Sequence, residues 1–191
     1  IKKQIIYTNA WLNIYDIPVV YFPKFFHPDP SVKRQSGFLK PELGSSKNLG
    51  NSIYAPYFFA VSQDKDFTFK PRLFNDNKIV LQSEYRQITK NSNIIADFSL
   101  TRGHSSSKND KNATRTHFFA NSKIDLDMEK FSKSTMELKY EKTSNDNYLK
   151  LFDLESPLLL GSSDVLESKI LFNFEHENYD LSTSFELYET L

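Results

Sequence analysis

Apolar and polar residues alternate with a period of two along most of this chain, which is the repeat of a β-strand rather than a helix. Residues 4–14 set Ile6, Thr8, Ala10, Leu12 and Ile14 on one side. Asp16-Ile17-Pro18 interrupts the pattern, and 19–22 reads as a short second strand. Residues 23–33 are rich in Pro, His and Asp and read as a linker. From Ser36 onward the strands lengthen, and we place them at 37–45, 51–60, 66–74, 78–88, 94–102, 115–125, 132–143, 165–175 and 180–188. In the third, Phe67, Phe69, Pro71 and Leu73 oppose Asp66, Thr68, Lys70 and Arg72. In the fourth, Ile79, Leu81 and Tyr85 oppose Gln82, Glu84 and Arg86. In the fifth, Ile94, Ala96, Phe98 and Leu100 oppose Asp97, Ser99 and Thr101.

Strands of about ten residues have the length that a tilted strand needs to cross a bilayer. A soluble antiparallel sheet also alternates apolar and polar, so alternation alone does not separate the two cases. The loops bear on the choice. Short connections such as Ser62-Gln63-Asp64-Lys65 and Lys90-Asn91-Ser92-Asn93 fall at one end of the sheet, and the two long ones, 103–114 and 144–164, fall at the other. Outer-membrane barrels sort their loops this way. The second long loop holds Asn147-Tyr148-Leu149-Lys150-Leu151-Phe152-Asp153-Leu154, which reads as a helical turn. Its apolar residues need cover, either over a barrel mouth or within a loose loop cluster. The first two long segments each contain a proline, Pro41 and Pro56. Proline cannot donate to a β-ladder, so this part of the sheet is expected to be a loosely paired margin.

Composition narrows the function. The 191 residues carry 24 basic and 24 acidic side chains, which leaves no electrostatic footprint for nucleic acid. There is no cysteine, hence no disulfide or thiolate chemistry. No run of 18 apolar residues is present, so no transmembrane helix is expected, which leaves a barrel open. The start, Ile1-Lys2-Lys3-Gln4, lacks the features of a signal peptide and reads as the interior of a longer chain. His27, His104, His117 and His176 are scattered, and Ser105-Ser106-Ser107 reads as a polar loop tip rather than a nucleophile elbow. No metal-ligand spacing is seen, so no catalytic residue, metal or cofactor is assigned.

An ordered set of motifs carries a resemblance. It runs through Ile17-Pro18-Val19-Val20-Tyr21-Phe22-Pro23, Arg34-Gln35-Ser36-Gly37-Phe38-Leu39-Lys40-Pro41, Ala55-Pro56-Tyr57-Phe58-Phe59, Asp66-Phe67-Thr68-Phe69-Lys70-Pro71-Arg72 and Ser83-Glu84-Tyr85-Arg86. A weaker stretch is Asn147-Tyr148-Leu149-Lys150-Leu151-Phe152. These motifs resemble the LptD family of LPS-assembly outer-membrane proteins, also called the organic-solvent-tolerance family. The resemblance implies an all-β chain: the end of a periplasmic β-jellyroll (1–26), a linker (27–35), and about nine antiparallel strands of a large outer-membrane β-barrel (36–191). Nine strands do not close such a barrel, so an open fragment is expected. The cysteines that pin jellyroll to barrel in some members are absent here.

The same resemblance implies transport of lipopolysaccharide to the outer leaflet, with no enzymatic step. A jellyroll groove would carry the acyl chains, and Ala10, Leu12, Ile14, Val19 and Tyr21 are candidates for lining it. A polar lumen would carry the sugar, with Lys70, Arg72, Gln82, Glu84, Arg86 and Asp97 on the inward face by alternation. The lipid would leave sideways through a lateral gate at the first strands, near Gly37, Phe38, Leu39, Pro41 and Pro56. Implied partners are lipopolysaccharide, an LptE-like plug lipoprotein, a periplasmic bridge protein of the same pathway and outer-membrane lipid. A passive porin-like channel, an outer-membrane barrel enzyme and a soluble β-sandwich binding module are the alternatives.

Overall fold

Strand-forming alternation without Gly-rich breaks produces two antiparallel sheets. The structure, a computed structural model, describes residues 4–14, 16–29, 34–46, 49–75, 78–102, 114–159 and 165–190. The loop 103–113, with His104 and Ser105-Ser106-Ser107, lies outside the described residues, as do 30–33 of the expected linker. The first sheet is a hairpin of β1 (Gln4–Ile14) and β2 (Ile17–Pro28). β2 is longer than the expected 19–22 and runs through Pro23 into the segment read as a linker. A two-stranded ribbon tolerates this because each strand has one unpaired side, where a missing N–H leaves nothing unsatisfied. Pro23 also falls level with Asn9, whose φ of 54° bends the opposite strand.

The second sheet holds β3 (Gly37–Phe38), β4 (Glu42–Ser46), β5 (Gly50–Tyr54), β6 (Tyr57–Ala60), β7 (Lys65–Phe74), β8 (Ile79–Ile88), β9 (Ser92–Arg102), β10 (Thr114–Asp125) and β11 (Lys133–Thr143). Helix α1 (Tyr148–Phe152) follows, then β12 (Val165–His176) and β13 (Tyr179–Thr190). From β7 to β13 each strand pairs with the next in a meander, and the sheet is open, with β4 at one edge and β13 at the other. Strands three to nine of the sequence reading lie within two residues of β7 to β13. The first two do not survive as single strands. The expected 37–45 is split into β3 and β4 around Pro41, and 51–60 into β5 and β6 around Pro56.

Cross-strand register defines two faces. Glu84 sits opposite Asp97, Gln82 opposite Ser99, and Ser99 opposite His117, and all five are buried. On the other face Ile79, Phe98, Phe118 and Tyr140 are exposed. This sheet is inverted relative to a soluble one: polar side chains are covered and large apolar ones bared. Residues 144–159, which include α1, cover the polar side and are called the strap below. Their Tyr148, Leu149, Phe152 and Leu154 join Leu49, Phe74, Val80, Phe119 and Leu166 in the hydrophobic core. Each fully buried apolar side chain of this kind is worth about 1.5–3 kcal/mol.

Neighbouring phenylalanines on β10 test this assignment. Phe119→Ala, at 0% exposure under the strap, is expected to lower the folding free energy of the full-length protein by about 3–5 kcal/mol. Phe118→Ala, at 44% exposure on the opposite face, should change it by no more than about 0.5 kcal/mol. Equilibrium denaturation of the two variants checks the contrast, and equal losses would contradict the two faces.

Candidate functional site

Two features stand out: an edge weakened by prolines and a polar face closed by the strap. At the edge, β3 pairs with β6 through Gly37↔Phe58 and Phe38↔Tyr57, and β4 pairs with β5 from Glu42↔Tyr54 to Ser46↔Gly50. The register slips by one residue between the two ladders, a bulge that holds Lys40 and Pro41. The Leu39 N–H donates to the Pro56 carbonyl at 2.9 Å, and the Ala55 N–H donates to the Pro71 carbonyl at 3.2 Å. Neither proline has an N–H with which to return the bond. Pro41, Pro56 and Pro71 therefore lie on one line across the first three strands, and each removes a donor there. Toward β8 the ladder stays in register on both sides of Pro71, through Lys70↔Gln82 and Arg72↔Val80.

All five expected gate residues fall on this line or beside it. Gly37 and Pro56 are buried, Phe38 and Leu39 are exposed at 63% and 46%, and Pro41 is exposed. Pro71 belongs with them. The alternation had placed it in a strand, but only the register reveals that its missing N–H faces Ala55.

On the polar face the six expected residues are present, and most are tied to one another. Lys70 pairs with Glu84 at 2.5 Å, and Arg86 reaches Asp66 at 2.9 Å and Glu84 at 3.4 Å. Arg72 donates from Nη1 to the carbonyls of Phe152 and Asp153, at 3.1 and 2.7 Å. Those carbonyls end α1, where Asp153 adopts φ 51° and closes the helix. A cation at a helix C-terminus satisfies orphan acceptors and complements the local dipole. Gln82 Nε2 donates to both Asp97 oxygens, at 3.1 and 3.2 Å, and to the Glu155 carbonyl at 2.8 Å.

A chain of side chains continues from Asp97. His117 Nε2 lies 3.0 Å from Asp97 Oδ2, and Ser99 Oγ lies 2.6 Å from His117 Nδ1 and 2.9 Å from the Tyr148 hydroxyl. Ser, His and Asp are thus brought together after all, although the sequence shows His117 only as one scattered histidine. Ser99 is one strand position away from Asp97 on the same face, but its meeting with His117 depends on the β9–β10 register. The cluster is unsuited to nucleophilic attack. Asp97 and Ser99 are at 0% exposure and His117 at 1%. The Ser99 oxygen is occupied by both neighbours, and the ring presents Nδ1 rather than Nε2 to the serine, the reverse of the hydrolase arrangement. Its role in this structure is to clamp the strap through Tyr148.

The expected groove residues do not share one face. Ala10 pairs with Phe22 and Leu12 with Val20, whereas Tyr21 pairs with Trp11, their rings 4.9 Å apart. Tyr21 alternates with Val20 and Phe22 along β2, so it turns away from Ala10 and Leu12, while Val19 falls at the register shift between Leu12↔Val20 and Asn13↔Pro18. Ile14 is paired with Ile17 at the end of the ribbon, and its side chain lies outside the described residues.

No family model matches this chain. The chain is nevertheless homologous, over part of its length, to LPS-assembly protein LptD. It is 38% identical over 85 residues to the LPS-assembly protein LptD of Ectopseudomonas mendocina (strain ymp), which covers 44% of this chain and 9% of that relative. The corresponding protein of Pseudomonas syringae pv. tomato is 36% identical over 85 residues, with the same coverage. That of Pseudomonas aeruginosa (strain UCBPP-PA14) is 27% identical over 175 residues, or 90% of this chain and 18% of the relative. The chain spans less than a fifth of the length of these curated relatives.

Burial pushes the Tyr148 hydroxyl from its ordinary 10.0 up to about 12, against a smaller opposing effect of its bond to Ser99. The folded state thus holds this proton more tightly than the unfolded state. The stabilisation is complete below pH 10 and falls away as pH rises from 10 toward 12. Protease cleavage within 144–159 should therefore accelerate over that interval. Tyr148→Phe should flatten the response and cost about 1 kcal/mol at neutral pH.

Proposed function

We propose that this chain is part of an outer-membrane barrel that delivers lipopolysaccharide to the outer leaflet of a Gram-negative envelope. In this reading residues 36–191 are its first strands and 1–26 the end of a periplasmic jellyroll. The homology to LptD supports lipopolysaccharide assembly as the process, and transport rather than catalysis as the activity. The observation that carries the proposal is the line of Pro41, Pro56 and Pro71 across the edge of an inverted sheet. A bared apolar face suits lipid, and a covered polar face suits a lumen.

The mechanism follows from the two solubilities of the cargo. Acyl chains require an apolar path, since each CH₂ kept from water is worth about 0.8 kcal/mol. The β1–β2 ribbon offers one on each side, Ala10 and Leu12 with Val20 and Phe22, and Tyr21 with Trp11; Ile14 and Val19 are the further candidates at its end. The sugar requires polar contacts, and Arg86, at 46% side-chain exposure, is the most open of the six lumen candidates. Lys70, Arg72, Gln82, Glu84 and Asp97 form the polar wall beside it. The lipid then leaves sideways at the first strand. A continuous ladder there would resist opening, because backbone groups left unpaired in lipid cost several kcal/mol each. Prolines lower that resistance by removing donors in advance. An LptE-like plug and a periplasmic bridge protein would complete the path. The strap argues against a passive pore, since it fills the polar face rather than lining an open one.

Replacing Pro41, Pro56 or Pro71 by Ala in the full-length protein returns one donor to the edge. At about 1 kcal/mol per restored bond, lipopolysaccharide should reach the cell surface about fivefold more slowly for each. Surface appearance after a pulse of label measures this, and unchanged delivery in all three variants would refute the proposed gate.

A further inference from the structure

The proline line divides the edge into two halves that are held in different ways. Below it, toward the 62–65 turn, Arg34 grips the start of the first strand. Its Nη2 meets Asp66 Oδ2 at 2.5 Å, its Nη1 donates to the Gln63 carbonyl at 2.6 Å, and the guanidinium lies 5.9 Å from the Phe58 ring centroid. Ser36 Oγ accepts from the Ala60 N–H at 2.9 Å. Asp66 also receives Arg86, which reaches Glu84, which holds Lys70, so Arg34 ends a ladder of alternating charge on the inner face. Phe38, Tyr57, Phe59 and Phe67 meet in sequence across the outer face in edge-on and tilted contacts, with centroids 4.5–5.9 Å apart.

Above the line stands the β4–β5 hairpin, residues 42–54. It is joined to β7 by Ser52↔Phe74, Ile53↔Leu73 and Tyr54↔Arg72, and its tip residue Leu49, at 1% exposure, is tucked into the core cluster that the strap completes. Among the described residues its tethers are a short ladder, a buried leucine and the Arg72 guanidinium 5.4 Å from the Tyr54 ring.

We propose that Arg34 is a positioning residue that pins the lower end of the first barrel strand, so that the edge opens from one end. The hairpin 42–54 is then the moving part, hinged at Pro41, Pro56 and Pro71. This rests on the barrel reading above, and it adds a direction: the edge parts at the end that carries the strap and stays closed at the end where the chain enters. A guanidinium suits the task because its fork takes a carboxylate and a carbonyl together while its face lies on an aromatic ring. Loss of Arg34 leaves Asp66 paired with Arg86, so the wall itself keeps its ion pair.

Spin-label distances in the full-length protein test the direction. One pair joins Gln35 to Lys130 at the lower end, and another joins Ser45 to Thr114 at the upper end. The upper pair should give the broader distribution in the native protein. Arg34→Ala should broaden the lower pair until it matches the upper, Arg34→Lys should give an intermediate width, and Asp66→Ala added to Arg34→Ala should broaden it no further. A lower pair unmoved by Arg34→Ala and Arg34→Lys, or an upper pair as narrow as the lower in the native protein, would overturn the proposal. These distances are read without transport. Broadening as described with undiminished lipopolysaccharide delivery would sink the export reading and leave the one-ended edge standing.

Discussion

The Asp97 carboxylate has no exposed surface, and a group of that kind is tolerated away from water only when its acceptors are filled. Much of the inner face is arranged around that requirement. Gln82 and His117 fill its oxygens from the two flanking strands, Ser99 fills the remaining ring nitrogen, and Tyr148 fills the serine. Gln82 in turn holds the Glu155 carbonyl, and Arg72 holds the end of α1. A connection that would otherwise expose Leu149, Phe152 and Leu154 is fastened over the sheet at both ends of its helix. The apolar cluster and the polar clamp support one another: the strap excludes water from Asp97, and the partners of Asp97 hold the strap in place.

The edge obeys the opposite rule. Where β8, β9 and β10 pair in unbroken register, the first three strands give up donors at Pro41, Pro56 and Pro71. The register shows that the three losses fall together, between one end gripped by Arg34 and another that rests on the strap through Leu49. A rigid wall and a weak margin thus occur in one sheet. The strap connects them, since Arg72 follows Pro71 in β7 and reaches the strap backbone. Under the proposed function this pairing would have a use: a lipid leaving sideways would need a wall that yields at one place.

Sequence pattern was most legible where one rule acted alone. From β7 to β12 the alternation marked the strands, and in β7, β8 and β9 also their faces, because each of these strands is paired on two sides and presents one polar and one apolar row. It misled where a second rule intervened. Pro41 and Pro56 split their strands instead of merely loosening them, and β2 passed through Pro23 because a two-stranded ribbon has open sides. The groove residues were divided because Tyr21 alternates with Val20 and Phe22 and because the ladder slips at Val19. His117 was invisible as a partner of Asp97, since nothing in the order of residues states the register between β9 and β10. The same holds for Arg34, whose partners Gln63 and Asp66 are distant in sequence, and for Tyr148, whose helical turn was readable but whose landing place was not.

The central claim is that this sheet faces lipid with one side and the strapped lumen with the other. Nitroxide labels placed one at a time at Asn93, Ile94, Ile95, Ala96 and Phe98 of β9, in the full-length protein reconstituted in bilayers, read this directly through collisions with oxygen and with a water-soluble nickel chelate. The account predicts that Ile94, Ala96 and Phe98 favour oxygen, and that Asn93 and Ile95 lack that preference. A flat profile, or one with the preference on the opposite set, would contradict it.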